Sequence, residues 1–199
     1  MTRLLVATRN PGKVREIREI LAGYPELDIV GLDVPETAEE DALEVFDTFE
    51  ENALAKARYF ARLTGELTLA DDSGICVDAL GGAPGVRSRR FAPGPDLRGT
   101  EQDQANNAYL LQRLAGLPTS ARTAQYVCAA ALAGTTEAVY LGRCEGVVLE
   151  EPRGAGGFGY DPLFYIPSEA CTFGELDPVR KNEISHRGRA VRLAAESLR

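Results

Sequence analysis

The stretch Arg3-Leu4-Leu5-Val6-Ala7-Thr8-Arg9-Asn10-Pro11-Gly12-Lys13 places a short apolar strand directly before the start of a helix. Asn10-Pro11 reads as an N-cap followed by proline in the first turn. Val14, Ile17, Ile20 and Leu21 then share one helical face, with Arg15, Glu16, Arg18 and Glu19 elsewhere, and Gly23 ends the helix. Working outward, Leu27–Leu32 reads as a second strand. The acidic stretch Asp33–Glu51 lacks a clean period and reads as loop, with a helix beginning near its end. Ala53–Leu63 reads as a helix and Leu67–Ala70 as a short strand running into Asp71-Asp72-Ser73-Gly74. Ile75–Leu80 is a further apolar run. The Gly-, Pro- and Arg-rich segment Gly81–Arg98 reads as a long loop. Thr100–Ala115 is a helix. Arg122–Leu132 and Glu137–Leu149 are long strands joined by the hairpin signal Gly134-Thr135. A glycine loop (Gly154–Tyr160), a strand (Leu163–Ile166), a short helix (Lys181–Ser185) and an amphipathic helix (Ala190–Leu198) complete the chain. Interleaved strands and helices with one long hairpin predict an α/β or α+β sheet protein in a single domain, residues 1–199.

The chain has 199 residues, 44% hydrophobic and 26% charged, which suits a globular fold rather than a disordered one. A net charge of -8 argues against a broad nucleic-acid or anionic-membrane footprint. The apolar run Leu4–Ala7 is far shorter than a signal-peptide or membrane segment, so the expected compartment is the cytoplasm. Cys76, Cys128, Cys144 and Cys171 stand singly, without zinc-site spacing or the pattern of a disulfide framework. Among 22 basic residues only Lys13, Lys56 and Lys181 are lysines. Arginine serves as the generic surface cation here, so these three mark places where a compact ammonium is wanted. His186 is the one histidine.

Five segments carry chemistry. Thr8–Lys13, between strand and helix, has the grammar of an anion site, with helix N–H groups, the polar side chains of Thr8 and Asn10, and a lysine. It is not a Walker A loop, and a capped helix start with a surface lysine is the plainer reading. In Thr48-Phe49-Glu50-Glu51-Asn52-Ala53, carboxylates favour the start of a helix that also carries Lys56. Asp71-Asp72 puts two carboxylates at the end of a strand, which suits Mg²⁺ as well as it suits an ordinary polar turn. Gly154–Asp161 lets backbone approach a ligand, with Phe158 or Tyr160 available to stack on a planar base. Lys181-Asn182-Glu183-Ile184-Ser185-His186-Arg187 gathers the third lysine and the histidine.

In register over the whole chain, these segments together with Gly82-Ala83-Pro84-Gly85-Val86 resemble the inosine triphosphate pyrophosphatase family. The resemblance implies an elongated two-lobed α/β fold, a long mixed sheet flanked by helices, with the active-site cleft between the lobes. It implies Mg²⁺-dependent hydrolysis of ITP, dITP and XTP to the monophosphate and pyrophosphate, and a homodimer. By position, Thr8, Arg9, Asn10, Pro11, Gly12 and Lys13 would grip the triphosphate and Lys56 would reach phosphate. Glu44 and Asp72 would hold the metal, with Asp72 also the proton acceptor, and Ser73 would touch substrate. Phe158, Gly159, Tyr160, Asp161, Lys181, His186 and Arg187 would hold base and ribose or phosphate.

Two departures from the family pattern stand out. Phe46 occupies a position usually held by glycine, so Glu40, Asp47 or Glu51 could replace Glu44 as ligand. Ser88-Arg89-Arg90 carries an extra arginine. Clustered lysines repel without substrate, so nearby acids are expected to compensate them. Donors from His186, Arg187 or backbone would select a 6-keto purine, and the Phe158 loop would exclude the guanine 2-amino group. The alternatives are a pyrophosphatase of similar fold for another modified or pyrimidine nucleotide, and a nucleotide-binding module without turnover.

Overall fold

The computed structural model describes residues 1–95 and 97–199, the side chain of Asp41 excepted; Asp96, inside the expected Gly81–Arg98 loop, lies outside the described residues. Strand β1 (Thr2–Val6) leads into helix α1 (Pro11–Leu21), then β2 (Leu27–Gly31), α2 (Phe49–Thr64), β3 (Leu67–Val77), α3 (Gly99–Arg113), β4 (Thr123–Ala133) and β5 (Ala138–Val148). Short strands β6 (Phe164–Ile166) and β7 (Cys171–Thr172) and helices α4 (Pro178–Ile184) and α5 (His186–Glu196) follow. The seven strands form one sheet in the order β2-β1-β3-β4-β5-β6-β7. It is mixed: β1 pairs in parallel with β2 and β3, while β6 is antiparallel to β5 and β7. The mixed sheet flanked by helices is the one the sequence leads one to expect.

The chain divides into two compact units, the first comprising Met1–Asp72, Cys128–Arg143 and Asn182–Arg199. Successive strand residues face opposite sides. Leu4, Val6, Leu67, Leu69, Cys128, Ala130 and Leu132 therefore share one side, packed with Ile17, Ile20 and Leu21 of α1 and Ala190, Val191, Ala194 and Ala195 of α5. Residues of the opposite parity, Leu5, Ala7, Ala70, Ala129 and Ala131, are buried as well. A strand covered on both faces reads as a continuous apolar run, as β4 does. Burying each of the larger side chains contributes about 1.5–3 kcal/mol. The second unit comprises Ser73–Val127 and Cys144–Lys181. Its core holds Leu110, Leu114 and Leu163 beside an aromatic cluster. In that cluster the Tyr126 and Phe164 rings lie 4.7 Å apart and Phe164 and Phe173 5.2 Å apart.

Four local expectations change. Asp71-Asp72-Ser73-Gly74 does not end a strand; β3 runs through it without a break. The strand continues because Asp71 finds cations in its buried setting and because Gly74 has no Cβ, which would collide with the Ser88 side chain and the Gly85 carbonyl. Helix α5 starts at His186 rather than Ala190, since the Ser185 hydroxyl accepts the Gly188 N–H at 3.0 Å and caps it. Residues Ala38–Leu43 and Gly85–Arg90 form 3-10 segments inside the expected acidic and Gly-, Pro- and Arg-rich loops. Glu16, expected away from the apolar face of α1, is buried.

Candidate active site

Alternation along β3 separates the two adjacent carboxylates. Asp71 has the parity of Leu67 and Leu69 and points with them toward α1 and α5. Asp72 has the opposite parity and meets α2, where the Asn52 amide donates to its Oδ2 at 3.0 Å. The repulsion expected of neighbouring carboxylates is thereby relieved by geometry.

Asp71 is the centre of an internal ion network. Its Oδ2 lies 2.9 Å from the Lys13 ammonium and 3.2 Å from Arg187 Nε, and the Cys128 thiol lies 3.9 Å away. Arg187 also binds Glu16, so its guanidinium bridges two buried carboxylates. The carboxyl of Asp71 would be pushed up by its complete burial, but Lys13, Arg187 and Lys56 together hold it well below the usual range. Burial, and then the Asp71 charge, push the Cys128 thiol up. Asp72 moves the other way. Burial pushes its carboxyl up and the charge of Glu44 adds to that, against the pull of Lys13, Lys56 and the Asn52 hydrogen bond.

Lys56, on α2, is buried, pairs with Glu44, and donates to the Asp71 carbonyl at 2.9 Å. Desolvation opposes its charge, and Glu44, Asp72 and Asp71 outweigh it, leaving the ammonium's pKa raised. The loop that carries Glu44 is fixed by Asn52, which accepts from the Phe46 N–H at 2.9 Å and donates to the Phe46 carbonyl at 3.2 Å. A side chain thus secures the turn in which the family pattern has glycine. Thr48 caps α2, its hydroxyl accepting the Glu51 N–H at 3.2 Å and donating to the Glu51 carboxylate at 2.7 Å, and Glu40 is engaged by Arg9.

The Thr8–Lys13 segment differs from a loop of open amides. Asn10 Oδ1 accepts the N–H groups of Gly12 at 2.9 Å and Lys13 at 3.2 Å, and Thr8 Oγ1 accepts that of Asn10 at 3.2 Å. The capping side chain has taken the amides that an anion would use. Arg9 turns to Glu40, at 2.7 Å, and to the Val34 carbonyl, at 2.8 Å. His186 and Arg187 are both buried in the first turn of α5. Gly142 makes room for that turn, because a Cβ there would meet the His186 carbonyl and lie 2.7 Å from the Ala190 nitrogen.

The second unit holds Ser73, Phe158, Gly159, Tyr160, Asp161 and Lys181. Lys181 sits 2.5 Å from Asp161 Oδ2, and the same oxygen accepts the Phe158 N–H at 2.8 Å. The Lys181 ammonium lies 5.1 Å from the Phe158 ring centroid. Phe158 is partly exposed, whereas Tyr160 is 3% exposed and its hydroxyl donates to the Ser88 carbonyl at 2.8 Å. Tyr160 is therefore a core residue, whereas Phe158 keeps part of its surface open.

Each of the three lysines has a carboxylate partner: Lys13 with Asp71, Lys56 with Glu44, Lys181 with Asp161. This is the compensation expected from the charge balance. Sequence reasoning passed over Glu16, Asn52 and Asp103, and it did not see Asp71 as an ion hub. Glu16 carried a signal, since Lys13, Glu16, Ile17 and Ile20 fall on one stripe of α1. No group of three His, Cys, Asp or Glu side chains able to hold a metal occurs among the described residues. Among the described residues none of the four cysteines is in a disulfide.

The chain belongs to the Ham1 family, whose model matches residues 4–197. It is 49% identical to a dITP/XTP pyrophosphatase of Desulforamulus reducens, over 98% of this chain and 95% of that protein. It is 48% identical to a dITP/XTP pyrophosphatase of Geobacter sulfurreducens, over 100% and 97%. The fold matches the solved structure of a HAM1 protein from Coxiella burnetii with a TM-score of 0.83 at 38% identity, covering 100% of this chain and 98% of that one. These findings agree with the motif resemblance.

Proposed function

We propose that this chain hydrolyses the non-canonical purine nucleoside triphosphates ITP, dITP and XTP to the monophosphate and pyrophosphate. The observation that carries the reading is the opposed fate of the β3 carboxylates. Asp71 is locked as an anion among cations, while Asp72 is buried beside Glu44 with its proton affinity raised. A carboxylate of raised pKa suits a group that orients and deprotonates an attacking water. The attack falls on the α-phosphorus, which releases pyrophosphate in one step. Family membership and the names of the relatives support the substrate class.

Glu44 and Asp72 would hold a divalent cation such as Mg²⁺. Their fit rests on the donor set, two carboxylates close enough for one to raise the pKa of the other, which leaves further positions to water and substrate oxygens. Bound there, the cation supplies charge neutralisation on the phosphate oxygens. A triphosphate carries roughly four negative charges, which Lys13 is placed to meet with its partly exposed side chain. Lys56 and Lys181 are buried and act through Glu44 and Asp161. Arg187, spent on Asp71 and Glu16, keeps the hub charged, so the 6-keto oxygen of the base falls to His186 or to backbone N–H groups. Adenine would leave such donors unpaired, at about 1–3 kcal/mol each.

Among the described residues no helix is long and apolar enough to cross a membrane. The reading includes a cytoplasmic homodimer, checked by sedimentation. The deciding experiment supplies Mg²⁺ with ITP, XTP, GTP or ATP and measures pyrophosphate and orthophosphate separately. Pyrophosphate from ITP and XTP, with little from ATP or GTP, is the expected result. Orthophosphate release would mean γ-cleavage and a different task for Asp72.

A further inference from the structure

Helix α3 presents a polar face that the reaction has not yet accounted for. Asp103 and Asn107 are four residues apart, one turn along the same face. Asp103 Oδ2 accepts the Gly159 N–H at 2.8 Å, and Asn107 Nδ2 donates to the Gly159 carbonyl at 3.0 Å. Both polar groups of one residue in the glycine loop are therefore held by one helix. We propose that Asp103 and Asn107 are positioning residues that clamp Gly159 and thereby fix Phe158 for the nucleotide base.

The loop needs such a device. Gly154, Gly156, Gly157 and Gly159 give Gly154–Tyr160 a large conformational entropy to lose, and Gly159 itself adopts φ 61°, the left-handed region. Phe158 is bounded on one side by Asp161, which accepts its N–H, and on the other by the clamped Gly159. Lys181 on Asp161, lying over the ring, completes the enclosure. The helix is in turn unable to drift. Neighbouring Asn106 accepts the N–H groups of Phe91 at 3.1 Å and Ala92 at 2.9 Å and donates to the carbonyls of Ser88 at 3.2 Å and Arg89 at 3.0 Å. Tyr160 binds the same Ser88 carbonyl. Burial favours the neutral form of Asp103, and the Gly159 N–H opposes that shift.

The proposal rests on the pyrophosphatase reading for its substrate, so the test has one arm that needs substrate and one that does not. In the first, Asn107→Asp sets an acceptor against the Gly159 carbonyl, Asp103→Leu removes the acceptor, and Asp103→Asn keeps it without charge. The expected result is a KM for ITP raised about ten-fold in N107D and D103L with kcat little changed, the size of one lost buried hydrogen bond. D103N should restore the wild-type KM. Equal KM values in all four folded proteins would overturn the clamp, as would a loss in D103N as large as in D103L. The second arm is hydrogen exchange at the Gly159 amide of the wild-type protein. Protection supports the clamp and exchange at the rate of an open loop overturns it, even if D103L fails to fold. A wild-type protein that leaves ITP intact would sink the functional reading, and the exchange arm would then decide the clamp alone.

Discussion

The two compact units solve the same problem, holding polar groups in place away from water, with different chemistry. The first uses ions on regular elements: Lys13 and Glu16 on α1, Lys56 on α2, Asp71 on β3 and Arg187 on α5. The second turns its polar side chains mainly on irregular backbone: Asn106 on the segment after Pro84, Asn107 and Asp103 on Gly159, Asp161 on the Phe158 N–H, and Tyr160 on Ser88. Charges suit the first because helices and strands satisfy their own backbone, so side chains are free to pair with each other. Loops leave N–H and C=O groups bare, and a side-chain amide, both donor and acceptor, answers both.

The largest effect should come from separating the neighbouring carboxylates. Asp72→Asn keeps the shape and removes the proton acceptor, so ITP turnover should fall by about 10²–10⁴-fold while the melting temperature holds or rises. A small loss of turnover would deny Asp72 its role. Asp71→Asn should do the reverse to stability, costing about 3–5 kcal/mol in urea unfolding by leaving Lys13 and Arg187 without their shared anion. Similar stability in the two variants would erase the distinction between the faces of β3.

Acid sharpens the same contrast. Asp71 titrates lower in the folded chain than in the unfolded one, so the unfolded state takes up the proton first as pH falls. Its stabilisation is full above the unfolded pKa of about 3.9 and drains away below it. Asp72 has the opposite sign, and its burial cost is relieved as its carboxyl protonates. Melting temperatures between pH 5 and pH 2.5 should therefore fall less steeply in D71N than in wild type. In the second unit, Asn106→Ala should cost about 2–3 kcal/mol by orphaning buried backbone groups, read again in urea. The smallest effect belongs to the exposed pair Arg58 and Glu137, 2.5 Å apart, where Arg58→Ala should leave the melting temperature unmoved.

How much was legible follows the same division. The rare lysines flagged the charged network, because an Arg-rich chain that keeps three lysines signals where an ammonium matters. The helix after Asn10, the α3 span, the β4–β5 hairpin and the glycine loop were read from capping, periodicity and turn residues, all local properties. Glu16 reads as lying off the apolar face because a carboxylate is not counted with apolar residues until its buried cation, Arg187, is known. Asp103, Asn106 and Asn107 read as ordinary polar helix residues, since their partners lie up to 56 residues away. Asp71-Asp72-Ser73-Gly74 reads as a strand end that suits a metal or a polar turn equally, because its composition allows both and its partners are distant in sequence.

The sequence by itself determined a sheet protein of α/β or α+β class, the family and the set of residues that carry charge, and the family resemblance implied the mixed sheet. Those follow from apolar periodicity, from motif order and from residue identity, which need no partner to be read. Only the tertiary structure decided which carboxylate is locked into the Lys13–Arg187 network and which faces Asn52. Strand alternation sends Asp71 to Lys13 and Arg187 and Asp72 to Asn52, and the pKa of each is set by distant cations and burial.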